Sequence, residues 1–449
     1  MFSALTKESI KVALSICIAI SLAIYFQWSK PYWAAIAVAV MAMNESFGHS
    51  IQKGYNRLFG TLLGVAYSFF LVAMFSQDRF LFLTFFALFL SLAIFMSTDE
   101  KYGYIFTMGF SVCSIIVCMG GFDSQLTFDF AITRIQETVL GVIVFTVIYR
   151  ILWPVDSYHS FLERFNDTKS ILIDSLSNRD VVSNDQFTAQ VQKLRQLINL
   201  PLTGNYEIRK DKATWLKRTN EMYAIYNHYV VNPVSADPIE KQQKDEICNR
   251  LASFDSSKPE MSLVVGENLS TEDYTSLDGF APTRSFGEHV KQDYRKVLHG
   301  LSIFLIGILA WIYIPVPGGF IFPMLAAIMG SILPTMPNSV IKNAFIGMFG
   351  LGPVIVAQYV LIMPYFTELW QLAGFYFFNT IVLWRIFYRP QHLVYRILGV
   401  NLLVSLTTGA MSLTPVYRIE TSLLLMVTLT LVLMIAKVVG DIFAAKPAQ

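Results

Sequence analysis

The chain of 449 residues carries 34 Lys and Arg against 32 Asp and Glu, a net charge of +2, and is 54% hydrophobic but only 15% charged. Soluble chains carry about 25% charged residues, so this composition, with a mean hydropathy of +0.50, excludes an ordinary soluble domain. The near-neutral balance gives no ground for a nucleic-acid partner. The four cysteines (Cys17, Cys113, Cys118 and Cys248) have neither disulfide-framework nor zinc spacing.

In chain order, Lys7 and Lys11 precede an apolar run from Val12 to Trp28. No small-residue cleavage site follows, and Ser29-Lys30-Pro31 leads into another apolar run, so a spanning helix that stays attached is expected rather than a signal peptide. Twelve apolar segments are predicted in two sets of six. The first set is about 10–28, 32–46, 58–76, 79–97, 103–120 and 130–153; the second is about 297–314, 318–333, 345–363, 369–387, 394–412 and 418–440. The expected fold is therefore an all-α membrane protein with about twelve transmembrane helices. Two six-helix halves, 1–153 and 293–443, would flank a helical insert at 154–292, with a linker over 256–283 and a short tail at 444–449. Basic residues set the orientation. With the N-terminus inside, the inner loops hold Lys7, Lys11, Lys53, Arg57, Lys101 and Arg150 among others, and the outer ones only Lys30, Arg79, Arg134 and Arg418. Both termini and the insert are then expected in the cytoplasm.

Pro31 to Gly64 is the most unusual stretch. The apolar run Trp33–Met43 ends in Asn44-Glu45-Ser46 and is short against the roughly 20 residues of a full crossing. A polar turn with His49, Lys53 and Arg57 follows, then a helix in which Gly60 and Gly64 share a face that a neighbour can approach closely. The layout recurs later. Gly319–Leu333, interrupted by Pro323 and closed by Pro334-Thr335-Met336-Pro337-Asn338, precedes Lys342 and a helix containing Gly347, Gly350 and Gly352. Paired short or interrupted helices point to a transporter's central site. The motif Arg57-x-x-Gly60-Thr61-x-x-Gly64 also has a partner in Arg134-x-x-Glu137-Thr138-x-x-Gly141 and a blurred one in Arg418-x-Glu420-Thr421, a candidate internal repeat.

Each candidate site residue has two readings. Arg57 either offers a carboxylate a bidentate guanidinium or snorkels to headgroups. Arg134 and Glu137, near one helical turn apart, are either a proton-carrying pair or a static ion pair between helices. Glu45 and Glu420 are further ionisable groups; Glu45 is either a proton carrier or a turn residue, while Glu420, two from Arg418, points to a different face. Asn44, Thr61, Thr335 and Asn338 either orient a substrate or cap freed backbone groups, and Lys342 is the cation nearest the second break. Trp33 either stacks on a substrate ring or anchors at the interface. No phosphate-binding loop, nucleophile elbow or metal-ligand spacing is found, so no enzyme activity, cofactor or metal is expected.

The run K-G-Y-N-R-L-F-G-T-L-L-G, Lys53 to Gly64, after the helix W-A-A-I-A-V-A-V resembles the fusaric acid resistance and aromatic acid exporter family. The resemblance is good over residues 8–154 and looser over 294–443. It implies a bacterial inner-membrane location and proton-driven efflux of aromatic carboxylic acids. The partners it implies are a small organic acid, membrane lipid, a periplasmic adaptor of the membrane-fusion type with an outer-membrane channel, and further copies of the chain. A passive organic-anion channel and a non-transporting scaffold are the alternatives.

Overall fold

The computed structural model describes residues 3–42, 47–99, 102–121, 123–153, 157–177, 183–199, 210–231, 238–253, 286–337 and 339–444. Every regular element among them is helical. The chain divides into two compact units, one formed by 1–45, 53–154 and 289–449, the other by 46–52 and 155–288. Asn44, Glu45, Asn338, the 256–283 linker and most of the tail lie outside the described residues.

The first six helices are α1 (Ala4–Tyr25), α2 (Tyr32–Ala42), α3 (Phe47–Phe75), α4 (Arg79–Met96), α5 (Gly103–Gly120) and α6 (Ser124–Ile151). Polar side chains start several of them by satisfying orphan amides. Ser3 accepts from Thr6 N, Asp78 from Phe80 N and Leu81 N, and Asp123 from Leu126 N. Four helices follow in the second unit: α7 (Ser157–Leu176), α8 (Asn184–Asn199), α9 (Lys212–Tyr226) and α10 (Pro238–Ser253). The last six are α11 (Phe286–Tyr313), α12 (Ile321–Ile332), α13 (Ser339–Leu361), α14 (Leu369–Ile386), α15 (Leu393–Leu406) and α16 (Ile419–Ala444). A Glu368–Gln371 capping box opens α14.

Among the described residues, eight helices are long and apolar enough to cross a membrane, and three shorter apolar ones, Tyr32–Ala42, Ile321–Thr335 and Leu393–Leu406, accompany them. Large apolar side chains, Phe59, Phe70, Leu88, Ile143, Leu309 and Phe349 among them, lie exposed on these helices, facing where lipid would be. This is a multi-pass membrane protein.

Within the first unit α2 is the enclosed element. It packs against α1, α6 and α15, and Ala34, Ala35, Ala37, Val38, Ala39 and Met41 are all fully buried. At 1.5 Å per residue its 11 residues run about 16 Å, roughly half of a hydrocarbon core. Small side chains all round let three neighbours close on it, since packing rather than water exclusion joins helices in lipid. The other short helix, α12, is held in the same way by α4, α5 and α16. Alongside these contacts α1 lies on α14, and Phe86 of α4 meets Phe304 of α11 with ring centroids 5.4 Å apart.

Two expectations are corrected. His49, Lys53 and Arg57 do not form a turn: α3 starts at Phe47 and carries all three. Their polarity hides this extension from a hydropathy reading, yet a helix satisfies its backbone whatever its side chains. Pro323 does not interrupt its segment either. It occupies the first turn of α12, where a proline costs no hydrogen bond, and the reversal before it is made by Gly318 and Gly319, at φ 106° and 54°.

Glycine faces set the closest approaches. A Cβ on Gly60 of α3 would sit 2.8 Å from the Ile105 carbonyl of α5, and one on Gly64 would collide with the Gly109 carbonyl. On α6, a Cβ at Gly141 would lie 2.7 Å from Ala37 Cβ of α2.

The second unit has a conventional core. Phe161, Phe165 and Leu172 of α7 meet Phe187 and Val191 of α8 and Trp215 and Met222 of α9, all buried. Trp215 receives Phe161 and Phe165 edge-on, with centroids 5.0 and 5.2 Å away.

Candidate functional site

Glu137, Arg134 and Thr138 are all buried on α6, on the side that Gly141 presses against α2. That contact brings Arg134 over the first turn of α2, where its Cζ stands 3.7 Å from the Trp33 ring centroid. At this distance the guanidinium and the indole make a cation–π contact of about 0.5–2 kcal/mol. The Tyr32 and Trp33 rings lie 5.1 Å apart, so Arg134 meets a small aromatic wall.

Arg134 and Glu137 do not form an ion pair among the described residues. Nε and one terminal nitrogen of Arg134, and both carboxylate oxygens of Glu137, have no hydrogen-bond partner. The Lys30 backbone N–H and ammonium act electrostatically on Glu137, but not within hydrogen-bonding geometry. Burying a charged group without a partner is expensive. Here a cation and an acid are each left with open hydrogen-bonding positions at the start of a buried half-length helix.

Arg57 joins this site from α3. It is buried, its charge acts on Arg134, and one terminal nitrogen donates to the Tyr104 hydroxyl of α5 at 3.3 Å while Nε is unpartnered. Because α3 begins ten residues before Arg57, the guanidinium sits roughly 15 Å along the helix rather than at its mouth. Arg134 likewise lies ten residues along α6, well inside its helix, and the charge of Arg57 reaches it there. Lys53, one turn before Arg57, has its ammonium 5.2 Å from the Tyr104 ring centroid.

The remaining candidates are elsewhere. Thr61 is buried beside Arg57, but its hydroxyl donates to the Arg57 carbonyl, 2.8 Å away on its own helix. Thr335 is exposed and donates to the Ile332 carbonyl at 2.7 Å, closing the short turn after α12. Lys342 is exposed on the first turns of α13, and Glu420 is exposed on the first turn of α16, where its charge complements the positive end of the helix dipole. Asn44, Glu45 and Asn338 lie outside the described residues.

Two residues that sequence reasoning passed over belong to the site. Tyr104 is the partner of Arg57, and no motif marked it. Lys30 counted only towards topology, although its place immediately before Pro31 and the enclosed α2 was the available signal.

The sequence model of the fusaric acid resistance protein family matches residues 8–199. Over that stretch, which includes α2–α6, most of α1 and the site just described, the chain is similar to the fusaric acid resistance protein family, and the resemblance read from Lys53–Gly64 is borne out. No curated protein and no solved structure matches the chain.

Proposed function

We propose that this protein is an inner-membrane transporter that exports small organic anions, aromatic carboxylates in particular, in exchange for protons. One observation carries the reading: two buried arginines, Arg57 and Arg134, act on one another with N–H groups unpartnered, and one of them lies on the Trp33 ring. Cations kept together and unpaired in a buried place favour an incoming carboxylate, which can accept charge-assisted bonds from both. An aromatic ring beside them suits a substrate whose acid is attached to a ring. Glu137, one turn from Arg134 and with both oxygens open, is the group assigned to the proton. The family segment and the apolar helices fit a membrane transporter.

The same reading takes the first and last six helices as related halves, twelve membrane helices in all counting the short ones. Matching neighbours support it: α2 meets α6 and α15, and α12 meets α16 and α5. Both termini and the insert are assigned to the cytoplasm from the basic residues of the loops, and the working unit to several copies of the chain with a periplasmic adaptor. No catalytic, cofactor or metal role is assigned.

The test is efflux of labelled p-hydroxybenzoate from cells making the chain at matched levels, with and without a protonophore and with the adaptor supplied. Export that collapses with the protonophore and in Arg57→Ala and Arg134→Gln supports the reading. Export no greater than in vector cells, or export indifferent to both substitutions, overturns it.

A further inference from the structure

The turn between α1 and α2 and the segment joining α15 to α16 wall a cavity of about 200 Å³. Lys30 and Tyr32 line it together with Thr408, Ser412 and Arg418 and with Tyr359 of α13. Two cations line it and, among the described residues, no carboxylate does. Two helices also begin there. Tyr32 opens α2, and Thr421 and Ser422, which border the cavity, lie in the first turn of α16. Both helices thus begin beside the same space, near the positive ends of their dipoles.

The wall is held in place rather than loosely draped. The Tyr359 hydroxyl donates to the Val416 carbonyl at 2.8 Å, and Gly409 lies so close to both that any side chain there would collide with them. Ser422 donates to the Leu406 carbonyl at 2.6 Å, tying α16 to the end of α15. The cavity also adjoins the buried site, because Lys30 and Tyr32 line the one and act electrostatically on Glu137 and Arg134 of the other.

We propose that this cavity is a second organic-anion site, in which a small monocarboxylate is held by the Lys30 ammonium and the Arg418 guanidinium at the N-termini of α2 and α16. A space of this size accepts one small ring with its acid, not a peptide, and its polar rim of hydroxyls suits the carboxylate end. The inference extends the transport reading, since an anion leaving or approaching Arg134 would pause here, but the binding itself does not depend on that reading.

Equilibrium binding of radiolabelled benzoate to the purified full chain in neutral detergent tests it, with benzyl alcohol as the uncharged competitor. Two sites per chain are expected in the unaltered protein. Arg418→Gln should weaken one of them about tenfold or more and leave the other, as loss of a charge-assisted bond requires. Ser412→Glu, which puts a carboxylate into the wall, should abolish the same site without touching either cation. Arg134→Gln should affect only the buried site beside Trp33. If Arg418→Gln and Ser412→Glu leave both affinities unchanged, or benzyl alcohol competes as well as unlabelled benzoate, the cavity is no anion site. If instead these variants act and Arg134→Gln does nothing, the cavity stands and the buried transport site falls.

Discussion

Arg134 rests on Trp33 without the carboxylate that normally accompanies a buried arginine, so the indole stabilises a charge whose hydrogen-bonding positions stay open. Trp33→Ala should therefore raise the KM for aromatic acid efflux about 2- to 30-fold, the range of a cation–π contact, while Trp33→Phe keeps most of it. The measurement is initial efflux rate against internal substrate, and an unchanged KM in Trp33→Ala would place the substrate elsewhere. Glu137 makes a different claim. With a neutral amide, Glu137→Gln should keep exchange of labelled for unlabelled acid across the membrane yet lose all response to a proton gradient; loss of both activities would make the residue structural. Much of this was legible beforehand: buried ionisable groups on an apolar helix stand out by cost alone. What was not legible is that Arg57 shares their depth, because ten polar or mixed residues ahead of it read as a turn although they are helical.

At the scale of helices, packing depends on where glycine backbones touch, and the glycines are not equivalent. Gly64 faces the Gly109 carbonyl of α5, a rigid backbone group, whereas a Cβ on Gly350 of α13 would meet nothing within 4 Å. Gly64→Ala must push α3 off α5 and should cost about 1–3 kcal/mol. Gly350→Ala should be neutral or stabilising by up to about 1 kcal/mol through helix propensity. Thermal unfolding in detergent separates them, and a Gly64→Ala protein as stable as the original would mean that α3 and α5 part at no cost. The four-residue spacing of Gly60 and Gly64 announced such a face from sequence alone. The enclosure of α2 did not show: YWAAIAVAVMA is apolar on every side and has no face to read, so only its shortness and small side chains hinted at neighbours all round. The cavity was invisible for another reason. Lys30 and Arg418 come from opposite ends of the chain, and no local pattern can bring them together.

Across the whole molecule, two kinds of stability coexist. The second unit is held by an aromatic core of the kind soluble proteins use, centred on Phe165 and Trp215. Phe165→Ala should open a void there and cost about 3–5 kcal/mol, read as earlier red-shifting of Trp215 emission on heating in a chain whose other tryptophans are replaced. No shift would show that the core collapses around the loss. Its helices were readable because Phe161 and Phe165 recur at helical spacing against a polar background. The membrane unit offers no such contrast, which is why its segment boundaries were misjudged most where polar residues enter a helix.

The exchange of neighbours between early and late helices bears on how the protein is made. Lys11 of α1 donates to the Trp153 carbonyl at 2.6 Å, a clasp complete once the first six helices have left the ribosome. The opposite side of α1 has to wait: Cys17 meets the Ala373 carbonyl, and Thr6 accepts from Arg385, both on α14. Early helices therefore stand in the bilayer with one flank closed and one unfilled until more than two hundred further residues have been translated. During that interval lipid, or a membrane chaperone, is their only neighbour on that flank.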